Sequence, residues 1–116
     1  MKDFDWNVSE ILYDFDGPKI FTIQNDRGLF LAYFCDEDLV HHIERFIVVP
    51  TDDIEIEELK LCYRDMFSVL AKDELWLVDS CYLLDKYPKL FSPKMSSKES
   101  TVSDYIPLPG VFLYSK

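Results

Sequence analysis

Glycine is scarce, with three residues in 116, and proline supplies only six, which excludes collagen-like and low-complexity architectures. Long apolar runs are missing too. The longest, Leu29 to Cys35, has seven residues, whereas a membrane-spanning helix needs about twenty. The opening stretch MKDFDWNVSE has no basic start leading into an apolar segment, so no secretory signal is expected. Cysteine is limited to Cys35, Cys62 and Cys81, with no C-x-x-C pair. An odd number in scattered apolar contexts predicts buried packing and a reducing cytoplasm rather than a disulfide framework. Positive charge is the remaining shortage: 12 Lys and Arg stand against 22 Asp and Glu, for a net charge of −10.

The imbalance is local. Residues 1–85 hold 20 acidic and 7 basic side chains, a net of −13, while residues 86–116 hold 2 and 5, a net of +3. A field of this sign repels phosphate, so neither nucleic acid nor an anionic membrane is expected as a partner. Opposite fields speed encounter, which favours a basic protein. Solubility alone is the competing explanation of the acidity. Apolar residues make up 48% of the chain and aromatics 16%, enough to offset chain entropy in a folded core, and the length predicts one domain.

The segment order predicts an α+β fold. Ile11–Tyr13 is a short apolar run, and Asp14-Phe15-Asp16-Gly17-Pro18 is turn chemistry. KIFTIQ (Lys19–Gln24), NDRG and LFLAYFC (Leu29–Cys35) read as a hairpin. Asp36-Glu37-Asp38 closes that strand, and IERFIVV (Ile43–Val49) is the next, stopped by Pro50. Asp52 then offers an N-cap with Glu55 at capping-box spacing, and Asp53, Glu55, Glu57 and Glu58 suit the positive end of a helix. The apolar stripe shifts face near Lys60–Cys62, which predicts two short helices rather than one. ELWLVD (Glu74–Asp79) is a further strand, and Tyr82–Leu90 reads as a short helix or an irregular segment. Strands, helices and strands in this order favour an antiparallel sheet of about four to five strands with one or two short helices between strands. The expected organisation is an acidic core over residues 1–91, a Ser-rich linker or loop over 92–104, and an apolar tail, 105–116, docking on the core.

Catalytic signals are thin. An apolar run followed by D-x-D-G, with Asp14 and Asp16, resembles the first motif of haloacid-dehalogenase-type phosphotransferases. That resemblance implies a nucleophile at Asp14 and an acid/base at Asp16 beside magnesium. Pro18 stands where that family usually has Thr, no later Ser/Thr and Lys stations are recognisable, and 116 residues are few for its parallel sheet. An ordinary Asp turn is the simpler account. His41-His42, near Cys35, Asp36 and Asp38, raises a metal site, but neighbours on a strand point to opposite faces, and a solvated loop is expected instead. No phosphate-binding or nucleophile-elbow glycine pattern occurs. No cofactor is expected. Tyr82, Tyr87, Phe91, Tyr105 and Tyr114 lie outside the main sheet signals and are candidate protein-binding anchors.

Tyr13, Gly17, Pro18, Phe21, Pro50, Arg64, Asp65, Trp76 and Asp79, spread over about residues 10–80, resemble the pattern of small bacterial and phage proteins grouped as a domain of unknown function. The resemblance implies a stand-alone accessory protein and carries no activity. Small orphans of this kind are associated with defence and toxin–antitoxin systems. The resulting expectation is a non-enzymatic module that occludes a basic partner (a toxin, nuclease or defence-complex subunit) through Asp36, Glu37, Asp38, Asp52, Asp53, Glu55, Glu57 and Glu58. A homodimer is the structural alternative.

Overall fold

The computed structural model describes residues 6–15, 17–81, 89–90 and 99–114 of the chain. Its frame is an antiparallel meander in which every strand pairs with the next in sequence. The strands are β1 (Val8–Asp14), β2 (Pro18–Asn25), β3 (Gly28–Asp38), β4 (Ile43–Pro50), β5 (Trp76–Cys81) and the two-residue β6 (Lys89–Leu90). Helices α1 (Asp53–Lys60) and α2 (Met66–Leu70) interrupt the meander between β4 and β5, and α3 (Ser100–Ser103) follows it. This is the α+β antiparallel class expected from the segment order, with five longer strands and a short sixth among the described residues.

The hairpin is β2–β3, closed by Asn25 opposite Gly28. Asn25 Oδ1 accepts from the Arg27 amide at 2.9 Å, and Gly28 has φ +124°, a region that strains any side chain. Residues of β3 alternate between two cores. Leu31 faces an aliphatic cluster with Ile20, Ile47 and Leu77, over which α1 and α2 lay Ile56, Leu59, Met66, Val69 and Leu70. Phe30 and Ala32 face an aromatic cluster with Phe21, Phe46 and Val78. Trp6, ahead of β1, packs edge-on against Phe21 and Phe46 at 5.6 and 5.7 Å between centroids. Burial on both faces is why β2, β3 and β4 read as continuous apolar runs rather than as alternation.

The break between α1 and α2 is a helix stop. The amides of Cys62 and Tyr63 bond back to the Leu59 and Glu58 carbonyls at 3.2 and 2.9 Å, with Cys62 at φ +61°. That is the reversal glycine normally makes, here made by cysteine.

Three readings are corrected. β1 begins at Val8 rather than Ile11, so part of the expected lead-in is an edge strand. The end of the Ser-rich stretch is not a loop: Ser100–Ser103 form α3, and Val102 is fully buried in the aliphatic core. Within the expected helix or irregular segment, Lys89–Leu90 is strand, pairing with β5; residues 82–88 lie outside the described residues, as does most of the linker. Residues 105–114 lie against the core as a strap, with Leu113 buried and no strand among them. Among the described residues no helix is long and apolar enough to cross a membrane.

Candidate functional site

The predicted partner-binding carboxylates fall into two groups on either side of β4. Asp36, Glu37 and Asp38 end β3, with Asp38 opposite Ile43 at the start of β4. Asp52 to Glu58 follow Pro50, which ends β4. The strand between spans seven residue steps, roughly 23 Å. The two groups therefore do not make one continuous face.

In the first group most carboxylates serve the fold. Asp36, Arg45 and Asp79 stand in register across β3, β4 and β5. Arg45 donates to both Asp79 oxygens, Nε at 2.8 Å and Nη2 at 3.3 Å. Its Nη1 reaches the Tyr105 hydroxyl at 3.1 Å, and that hydroxyl donates to Asp36 Oδ2 at 3.2 Å. The hydrogen bonds from Arg45 to Asp79 raise the guanidinium's pKa above its ordinary value despite partial burial. The network ties the strap to the sheet. Asp38 instead organises the β3–β4 turn, accepting from the Val40 and His41 amides at 3.1 and 3.2 Å and pairing with His41 Nδ1 at 2.8 Å. The hydrogen bond from the His41 ring holds the Asp38 carboxyl below its usual range. Asp36, Glu37, Asp38, Leu39, Ile43 and Arg45 line an open depression of about 460 Å³.

Cys35 sits beside this network as an extra residue in β3, where the pairing slips between Phe34 and Asp36. Its Sγ donates to the Arg45 carbonyl at 3.4 Å. Burial pushes the thiol up to about 12, so it stays protonated and a poor nucleophile.

The second group is half internal. Asp52 caps α1, its Oδ1 accepting from the Glu55 amide at 2.7 Å. Glu55 does not close the reciprocal half of a capping box. Its Oε1 takes the Thr51 hydroxyl at 2.6 Å and Lys72 Nζ at 2.7 Å, and Lys72 also donates to the Pro50 carbonyl at 2.6 Å. Arg64 lies 3.8 Å from Glu55 and 3.0 Å from Glu58. Glu57 is left near Lys60, whose own partner is Glu10 at 2.6 Å. Asp53 and the Glu37 carboxylate have no hydrogen bond or ion pair among the described residues.

The other candidates are local structure. Asp14 Oδ1 accepts from the Gly17 amide at 3.3 Å, closing the β1–β2 turn; Asp16 lies outside the described residues. No group of three or more His, Cys, Asp or Glu side chains is placed to hold a metal ion among the described residues. Of the candidate aromatic anchors, Tyr105 is engaged by Arg45 and Asp36, and Tyr114 is exposed with its hydroxyl donating to the Leu12 carbonyl at 3.2 Å. Tyr82, Tyr87 and Phe91 lie outside the described residues. Sequence reasoning passed over Tyr63 and Phe67, both exposed, because each falls on the helical stripe that otherwise marks core positions.

Compared with known proteins, the chain matches no protein-family model, no curated protein and no solved structure.

Proposed function

We propose that the chain is a non-enzymatic protein-binding module that occludes a basic partner, in the manner of an antitoxin, immunity protein or phage-defence accessory protein. The observation that carries this reading is the charge: residues 1–85 are net −13. The basic residues around α1 are already paired, Lys60 with Glu10, Arg64 with Glu58 and Lys72 with Glu55. Ion pairs cancel the positive groups locally and leave the excess negative field outward. Occlusion is the mechanism: carboxylates occupy the cationic patch that a nuclease or toxin uses for phosphate, so the partner loses access to its substrate.

The turn at Asp14 argues for this over catalysis, since its carboxylate is bound to the backbone amide of Gly17. The outward carboxylates Asp53 and Glu57 are the residues to test; Asp52, Glu55 and Glu58 have structural duties. Affinity capture from the native host is expected to retain one stoichiometric basic protein at low salt and to lose it at high salt. Retention that is insensitive to salt, or an acidic partner, contradicts the reading.

A further inference from the structure

The strap and the α1–α2 connection adjoin and together expose six large apolar side chains. Leu61, Tyr63 and Phe67 contribute from the connection and α2; Leu108, Val111 and Tyr114 contribute from the strap. Tyr63 and Leu108 are each 78% exposed. The two halves are stitched together. Met66 N donates to the Val111 carbonyl at 2.7 Å, Gly110 N to Asp65 Oδ2 at 2.8 Å, and Cys62 Sγ lies 3.7 Å from the Tyr114 carbonyl. Inward neighbours hold each half down: Met66, Val69 and Leu70 on α2 and Leu113 on the strap are buried. The outward residues are thus presented on a pre-organised support, which lowers the ordering cost of binding. Exposed apolar residues grouped on adjoining segments mark an interaction site more often than scattered single residues do.

Charge selects the occupant. Residues 51–74, which carry the connection, contain eight Asp and Glu against three Lys and Arg, and those three are all engaged in ion pairs. Glu57 lies one turn before Leu61 and so borders the patch. Asp65, held ionised by the Gly110 and Ser68 amides, sits within it. A second copy of this chain would bring the same negative field to its own mirror, whereas a cationic segment would be drawn in.

We propose that this surface docks a basic amphipathic segment of a partner protein, with its apolar side on Tyr63, Phe67 and Val111 and its Lys/Arg side against Glu57 and Asp53, the outward carboxylates of α1. The proposal rests on the basic-partner reading and adds the place and the apolar half of the contact. The test titrates the isotope-labelled full chain with a synthetic helical peptide built only of Leu and Lys, and with its Leu/Glu counterpart, following backbone amide shifts. The Leu/Lys peptide is expected to shift residues 57–67 and 108–114, and the Leu/Glu peptide to shift none. The double substitution Tyr63→Ser with Phe67→Ser, at exposed positions, is expected to weaken binding about tenfold or more with the folded spectrum retained. About 0.5 M salt is expected to reduce binding without abolishing it, because the apolar half is not screened.

Shifts confined to the Asp36–Asp38 end would overturn the surface while leaving the basic-partner reading intact. No shifts anywhere would overturn this docking surface, while the basic-partner reading would still stand or fall on the salt-dependent capture from the native host. A dimer in sedimentation that dissociates in the Tyr63→Ser, Phe67→Ser variant would make a second copy the occupant and overturn the proposal.

Discussion

The two acidic ends of this sheet look alike in sequence and are used differently. At the β3–β4 end, Asp36 and Asp79 flank a guanidinium, Tyr105 bridges it to Asp36, and Asp38 closes a turn. Of the Asp36–Asp38 carboxylates, Glu37 alone is unengaged among the described residues. At the α1 end, Asp52 and Glu55 hold the helix start and Lys72, while Asp53 and Glu57 point their charge outward. A run of carboxylates is therefore not a measure of free negative surface. What counts is how many of them the fold's own amides and cations have taken up.

The comparison breaks most visibly at Arg45. Arg45→Ala leaves Asp79 half-buried without its fork and cuts the strap's tie through Tyr105. A loss of about 2–3 kcal/mol is expected in urea unfolding. Arg45→Lys should recover only part of it, since an ammonium cannot span both Asp79 oxygens. Glu55→Ala comes next. It leaves Lys72 with only the Pro50 carbonyl and removes one partner of Arg64, for an expected loss of about 1–2 kcal/mol, discounted for partial exposure. If Glu55→Ala were silent while Asp53→Asn were costly, the division into internal and outward carboxylates would be wrong.

Asp53→Asn with Glu57→Gln should move stability by no more than about 1 kcal/mol, because only helix-end electrostatics and a weak surface pair are touched. Their effect belongs to partner binding instead. A last effect is absent at neutral pH and is alkaline. The folded state holds Cys35 protonated up to about 12, against an ordinary thiol value of 9.0. The unfolded chain therefore ionises first, and the stabilising contribution is complete below pH 9.0 and is lost progressively as pH rises toward about 12. Cys35→Ala should flatten the stability profile over that window. Burial raises the Tyr33 hydroxyl in the same direction, so some slope should remain. At the acid end the sign reverses for Asp65. Its carboxyl is held below 3.8 by the Gly110 and Ser68 amides, so protection of the Gly110 amide, measured against its intrinsic exchange rate at each pH, should be lost as acid protonates the carboxyl.

Much of the frame is legible in the sequence. The hairpin, β4, the helix start at Asp52 and the break before Tyr63 follow from turn residues, β-branched runs and capping chemistry that act over a few residues. What stayed hidden depends on contacts distant in sequence. Arg45 and Tyr105 are 60 residues apart, and no local pattern announces that pairing. The sequence pattern makes β1 read too short, because exposed edge residues such as Ser9 and Glu10 dilute its apolar signal. Val102 sits in a run of Ser and Thr whose composition says loop, and a single buried valine reverses that. The candidate site was half legible. Composition showed where acids are dense, but not that Asp36, Asp52, Glu55 and Glu58 are engaged within the fold.

The most direct test sets the two ends against each other in one capture experiment. The wild-type chain, the Asp53→Asn, Glu57→Gln variant and a Glu37→Gln variant are each used to capture partners from the native host at low and high salt. The account predicts a basic protein retained by wild type and by the Glu37→Gln variant at low salt, released at high salt, and lost from the Asp53→Asn, Glu57→Gln variant. Loss from the Glu37→Gln variant alone, or retention of the partner by all three at high salt, would contradict it.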